Sequence, residues 1–267
     1  MKRNKWLIIE IIAGIVLVVL IAFFVLRKLE DRRFIEEQQK LKMTMMEISE
    51  KTIEEKPFEL EERETEREEE KTQKLLEEQR RIEDESSKKM FNELNAKHPA
   101  VIAIIEIPDT EIFYPIVQGE DNEFYLNHDK DGDYHPFGEV FLDFENKSDL
   151  TDANSVIYGH NIRSAKAIFN ELLNYENQDY YEDHRDIKIH NKNGLSVYSI
   201  ISVFKADPDD DYRKNVFNNE NDFNSFLKEY NELSLVDSEL IHGNKLLTLS
   251  TCFTNYDRMV IQAIKTR

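Results

Sequence analysis

The stretch KLLTLSTCFTNYDRMVIQAI, residues 245–264, holds two apolar runs separated by the polar pentapeptide FTNYD at 253–257. Short runs of apolar and β-branched residues bounded by Asn and Asp read as strands, so 245–252 and 259–264 are expected to be paired strands. Cys252 then ends the first strand, where a thiol meets solvent. Arg258 stands at the return into the second, which sets a guanidinium beside the sulfur across the pair.

The same signature extends upstream as far as Met90. Runs at 100–107, 112–117, 138–142, 155–158, 186–190 and 196–205 are rich in Val, Ile, Phe and Tyr and are bounded by Asn, Asp, Gly and Pro. With the two strands above they make eight, the pattern of a mostly β domain closed or nearly closed into a barrel. Helices are expected at 165–173, continued by a turn near 178–182, and at 222–232, where Phe223, Phe226, Leu227 and Tyr230 recur at helical spacing. The segment 90–267 is long enough to bury a core of its own.

Before Met90 the composition changes. Residues 30–89 are dominated by Glu, Lys, Arg and Gln, contain no glycine, and have Pro57 as their only breaker. Such a segment buries no core and is expected to form one or two solvated helices, a charged stalk. A dimerising coiled coil is the sharper alternative, but sustained apolar a and d positions are missing over most of its length. Ahead of the stalk, Lys2, Arg3 and Lys5 precede an apolar run from Trp6 to Leu26, broken only by Glu10 and Gly14, with Arg27 and Lys28 behind it. About 20 apolar residues cross a bilayer, so this reads as a transmembrane helix. The bulky Phe23, Phe24, Val25 and Leu26 stand where a signal peptidase needs small residues, which favours an uncleaved anchor. Three parts follow: an N-terminus and anchor at 1–29, a stalk at 30–89, and a globular domain at 90–267. The basic residues flank both ends of the anchor about equally and do not orient it.

A formal charge of −19, with 33% charged residues, excludes a nucleic-acid-binding role, which needs a basic surface. One cysteine excludes an intramolecular disulfide and leaves Cys252 either a reactive thiol or a small buried hydrophobe. His160 follows the strand run Val156-Ile157-Tyr158 through Gly159, so it too sits at a strand end. Taken singly, each of these residues has an ordinary reading: a loop His, a surface Arg, an inert Cys. Together they place a nucleophile, a proton-transfer group and a permanent cation at strand ends of one domain. His128 lies in, and His135 just beyond, an Asp-rich stretch, NHDKDGD at 127–133, that lacks the spacing and terminal Glu of a calcium loop. It is expected to be a solvated loop, and neither metal nor cofactor is expected.

The motifs are also recognisable. Leu247-Thr248-Leu249-Ser250-Thr251-Cys252 with Arg258 after a short loop, and Tyr158-Gly159-His160-Asn161 upstream, resemble the cysteine and histidine motifs of sortases. Tyr114-Pro115-Ile116-Val117-Gln118, Asp121-Asn122 with Phe124-Tyr125-Leu126, and Gly138-Glu139-Val140-Phe141-Leu142-Asp143 are similar to class B members in particular. So are Phe169-Asn170-Glu171-Leu172 and the long insertion from Lys205 to Asn244. The chain departs from the class B pattern in having Ala103-Ile104 where a Gly-Trp pair is usual, and Phe253 where an acidic or small polar residue often follows the cysteine.

The resemblance covers 91–267 and implies a sortase-like eight-stranded barrel with a few helices. It implies a cysteine transpeptidase with Cys252 as nucleophile, His160 as proton-transfer partner and Arg258 at the reacting carbonyl, with Tyr158 and Ser250 in the substrate groove. It further implies secreted proteins with a C-terminal sorting signal as substrates. The acceptor would be an amine of the peptidoglycan cross-bridge or, in a pilin-polymerising enzyme, a pilin lysine. The N-terminus would be cytoplasmic and the catalytic domain outside the cell membrane of a Gram-positive bacterium, where a lone thiol finds no partner within its chain. A papain-like hydrolase shares the chemistry but places Cys before His, the reverse of the order here. A tethered β-barrel binding module with an inert Cys252 is the non-enzymatic alternative.

Overall fold

The computed structural model describes residues 26, 28, 29, 32, 33, 35–48, 65–252 and 257–267, without the side chains of residues 65–70 and of Cys252. The chain divides into two compact units, Met1–Met43, whose described residues are helical, and Thr44–Arg267, which contains the barrel. The apolar run from Trp6 to Leu26 lies, Leu26 apart, outside the described residues. Among the described residues no helix is long and apolar enough to cross a membrane.

All eight expected strands form. The first four are β1 (Val101–Glu106), β2 (Phe113–Gln118), β3 (Val140–Leu142) and β4 (Asn154–Tyr158). Two short strands, β5 (Asn161–Ile162) and β6 (Ala167–Ile168), then pair in a separate ribbon. The wall resumes with β7 (Asp186–Asn191), β8 (Gly194–Ala206), β9 (Leu246–Cys252) and β10 (Arg258–Lys265). The other eight strands close a barrel in the order β1-β2-β3-β4-β9-β10-β8-β7. Two pairings, β2 with β3 and β4 with β9, are parallel. The remainder are antiparallel.

Consecutive residues of β9 are buried, Leu247 and Leu249 on one face and Thr248 and Ser250 on the other. Burial on both faces requires a cover outside the barrel wall. Part of that cover is the helix Glu220–Glu232, whose Phe223, Phe226, Leu227 and Tyr230 pack with Phe204, Leu246, Val260 and Ile264. The Tyr230 and Phe204 rings stack with centroids 4.8 Å apart. Asn219 caps its N-terminus by accepting from the Asp222 amide at 3.0 Å.

The helix expected at 165–173 does not form. Lys166 and Ile168 have φ of 50° and 58°, which ends any right-handed helix there, and Phe169–Glu176 is a 3-10 helix, followed by a short α-helix at Gln178–Asp183. Tertiary bonds outweigh local propensity: the Ile168 amide donates to the Tyr114 hydroxyl at 3.0 Å, and the Phe169 amide to the His160 carbonyl at 3.0 Å.

The compositional boundary at Met90 falls inside one long helix, Thr65–Lys97. Its last turns are packed rather than solvated, with Ser86, Ser87, Met90, Phe91 and Leu94 buried. Ser87 bonds His190 of β7 at 3.1 Å, and Asp84 accepts from the Leu195 amide at 3.1 Å. Arg267 pairs with Glu83 and, at 3.2 Å, with Asp84. The helix is thus clamped to β7, β8 and the C-terminus.

Candidate active site

The register of the barrel wall fixes the site. Tyr158, the last residue of β4, pairs with Ser250 of β9, Cys252 pairs with Arg258, and Arg258 pairs on its other side with Ala206 at the end of β8. Four strands therefore bring these residues to one end of the barrel, and the chain leaving β4 carries His160 there. A groove of about 200 Å³ opens at this end. Its walls include Tyr158, His160, Ser250 and Arg258, the site residues expected from the sequence whose side chains are described. Thr251, which precedes Cys252, also lines it.

His160 is half-buried, and its Nε2 lies 2.7 Å from the Leu126 carbonyl oxygen. A carbonyl only accepts, so Nε2 carries the proton and Nδ1 is left as the nitrogen that exchanges one. Leu126 ends the 3-10 turn Phe124–Leu126, whose start is fixed by Asp121 Oδ1 accepting from the Glu123 and Phe124 amides at 2.9 and 2.8 Å. The turn is pressed against Gly138, where φ is +59° and an added Cβ would lie 2.2 Å from the Tyr125 carbonyl oxygen. Gly159 serves close approach as well, since a Cβ there would meet the Phe169 ring at 2.6 Å.

The groove wall is built from polar side chains that hold one another. Tyr158 donates its hydroxyl to Asp143 at 2.7 Å, and Asn122 donates to the same carboxylate oxygen at 3.0 Å. Burial, and then the charge and hydrogen bond of Asp143, raise the Tyr158 pKa far above the ordinary phenol value, so the hydroxyl stays protonated. Ser250 and Tyr212 hydroxyls are 3.1 Å apart. Buried Asn154 accepts from Thr248 at 2.8 Å and donates to the Tyr212 and Lys214 carbonyls, each at 3.1 Å, which pins the segment after β8 to β4 and β9.

Sequence reading missed Tyr212, Arg213, Asn154 and Asp143 as builders of the site. Tyr212 and Arg213 stand in an acidic, turn-rich part of the 205–244 insertion, whose likeness to class B members singles out neither residue, and only the fold brings it over the groove. The loop at 127–135 is held by its own bonds: Asp129 accepts from the Asp131 and Asp133 amides at 2.9 and 3.0 Å, and His128 stacks on Phe124. Lys130 within it is buried, unlike a solvated loop residue.

A model of the sortase domain matches residues 105–266. The chain is 30% identical over 174 residues to sortase B of Staphylococcus aureus, covering 64% of this chain and 71% of that protein. It is 32% identical over 178 residues to sortase B of Listeria monocytogenes, with the same shares covered. Among solved structures it is similar to a Staphylococcus aureus sortase B–substrate complex, with a TM-score of 0.62 and 30% identity, covering 67% of this chain and 86% of that one. Similarity to Clostridium perfringens sortase B is comparable, at a TM-score of 0.61 and 30% identity, with 66% and 99% covered.

Proposed function

This chain belongs to the sortase family and is a sortase B-like cysteine transpeptidase, and from that premise we propose that Cys252 is its nucleophile, His160 its acid and base, and Arg258 its oxyanion donor. The observation that carries the assignment is the groove. It gathers His160 and Arg258 around the end of β9, where Cys252 pairs with Arg258 in register.

A free thiol is only a few per cent thiolate at neutral pH, so a neighbouring base or cation is needed to raise the reactive fraction. In the proposed reaction the Cys252 thiolate attacks the scissile carbonyl carbon. The C–N bond breaks while Nδ1–H of protonated His160 passes its proton to the leaving amine, leaving a thioester. An incoming amine then attacks the thioester, neutral His160 accepts its proton at Nδ1, and the thiolate departs as the new amide forms. Arg258, permanently charged and with forked donors, stabilises the oxyanion of both tetrahedral intermediates. Tyr158 and Ser250 line the substrate groove.

The substrate in this reading is a secreted protein with a C-terminal sorting signal, and the acceptor is an amine of the peptidoglycan cross-bridge. The Staphylococcus aureus relative has been solved with substrate, and another sortase B in complex with triglycine, a peptide that carries a free amine. Both precedents support the reading. We assign residues 1–29 to a single-pass anchor with a cytoplasmic N-terminus, 30–89 to the charged segment outside the membrane, and 90–267 to the catalytic domain.

The test incubates the full chain, and its Cys252→Ala, His160→Ala and Arg258→Ala variants, with sorting-signal peptides and triglycine. Mass spectrometry should find a thioester on Cys252 and a peptide–glycine product. Full activity in Cys252→Ala would refute the mechanism. Resistance of the chain to alkaline extraction from membranes tests the anchor.

A further inference from the structure

His160 is held from two directions, by the strand that leads to it and by the turn that receives its Nε2–H, and one buried carboxylate reaches both. Asp143 follows β3, and its backbone is fixed on three sides. Its amide donates to the Val156 carbonyl at 2.8 Å, and its carbonyl accepts from the Asn146 amide at 3.0 Å and the Gln118 carboxamide at 2.9 Å. Its Oδ2 accepts from the hydroxyl of Tyr158, two residues before His160, at 2.7 Å. The same oxygen accepts from Asn122 Nδ2 at 3.0 Å, and Asn122 Oδ1 accepts from the Phe144 amide at 3.1 Å. Asn122 adjoins Asp121, whose carboxylate opens the turn Phe124–Leu126 that ends at the carbonyl facing the imidazole.

An ordinary reading accounts for half of this arrangement. Oδ1 accepts from the Glu145 amide at 2.9 Å, which closes a turn after the strand, as Asp does in many loops. It leaves Oδ2 unexplained. The three donors, a phenol, a carboxamide and a main-chain amide, are all neutral, and a buried carboxylate held by neutral donors is costly to keep for a turn that Asn or Ser would also close. What only a carboxylate does here is accept on both oxygens at once. An Asn in its place has a single accepting oxygen and sets its own NH2 group against either the Glu145 amide or the Asn122 carboxamide.

Resting on the transpeptidase reading above, we propose that Asp143 is a positioning residue for His160. Through Tyr158 it fixes where the strand delivers the ring, and through Asn122 it fixes where the Leu126 carbonyl meets Nε2–H, so that Nδ1 is presented to the reacting groups. Misplacing a proton-transfer group by about 1 Å costs up to about 10²-fold in rate, so the carboxylate acts on turnover rather than on binding.

The test compares the full-length chain in detergent with its Asp143→Asn variant, using sorting-signal peptides and triglycine. The His160 ring is followed by nitrogen-15 NMR, its signal identified by its loss in His160→Gln. In the parent the Nε2 proton should be visible, because the Leu126 carbonyl protects it. In Asp143→Asn it should exchange with water and disappear, and kcat should fall by about tenfold or more while KM changes by less than about threefold. Asp84→Asn, which weakens the hold of the long helix on Arg267 and on the other end of β8, is the control for lost stability and should leave both readouts unchanged. If Asp143→Asn does not fold, Asn122→Ala cuts one arm with the carboxylate in place and should lose the same ring proton. A visible ring proton and parental kcat in the folded variants overturn the inference alone. So do a raised KM at unchanged kcat, a ring proton lost equally in Asp84→Asn, and a parent in which that proton is not seen. A parent that forms no Cys252 adduct with any peptide overturns the transpeptidase reading and the inference with it.

Discussion

The imidazole of His160 is held by a main-chain oxygen, that of Leu126, at 2.7 Å. A backbone acceptor fixes the tautomer without adding charge, so Nδ1 is left for the proton transfer proposed above and the ring's orientation depends on where the turn Phe124–Leu126 lies. That turn leans on Gly138. Substituting Gly138 by Ala should therefore act on the histidine from a distance, because the new Cβ collides with the Tyr125 and Leu126 backbone and the positive φ is strained. The expected result is a loss of more than about 1 kcal/mol of stability and a fall in kcat larger than the change in KM. Denaturant unfolding and peptide kinetics on the folded variant check it. Unchanged kcat in a folded Gly138→Ala protein would show that the turn does not set the ring.

Arg258 tests fork geometry against charge. Arg258→Ala is expected to lower kcat/KM by about 10²-fold, the usual cost of removing one oxyanion donor. Arg258→Lys should recover little of it, because an ammonium on a flexible stem does not present parallel donors across the pair from Cys252. Activity of the Lys variant close to that of the parent would reduce the role of Arg258 to bulk charge.

Glu139 gives a pH signature. It is fully buried, and burial pushes its carboxyl up to about 8, while the Lys130 charge and the Val140 and Lys130 amides pull it down and Asp129 adds to the rise. Its Oε2 has no hydrogen-bond partner among the described residues. Because the folded value exceeds the unfolded value of 4.5, the folded state binds the extra proton between the two. Its contribution to stability is complete below the unfolded value and is lost as pH rises toward the folded one. Glu139→Gln should remove this slope, so the melting temperature of the variant relative to the parent should rise between about pH 5 and about pH 8.5. An offset that is equal at both pH values would disprove the assignment.

Gln262 pairs with Thr248 across β9 and β10, is wholly buried, and leaves both Oε1 and Nε2 without partners among the described residues. Each unpaired polar atom carries a desolvation cost with no bond to offset it. Gln262→Met keeps the volume and removes both, and should raise stability by about 1 kcal/mol or more in urea unfolding. A destabilised variant would mean that the amide is bonded to buried water.

The eight barrel strands are legible in the sequence because strand pattern is local: short apolar, β-branched runs with polar boundaries fix strand existence whatever the topology. The positions of Cys252, His160 and Arg258 at the ends of strands are legible for a related reason, since each adjoins an apolar run with a distinctive neighbour sequence. The tertiary structure decides what local pattern does not encode. Residues 165–173 have the composition of a helix, but bonds from Ile168 to Tyr114 and from Phe169 to His160 select a ribbon and a 3-10 turn. The charged helix through Met90 reads as solvated until His190 and Arg267, far away in the chain, close on Ser87 and Glu83. Arg213 becomes a groove residue only because Asn154 ties its neighbours to two strands. Propensity and periodicity act within a few residues, whereas these contacts join groups far apart in the chain, and only closure of the barrel brings them together.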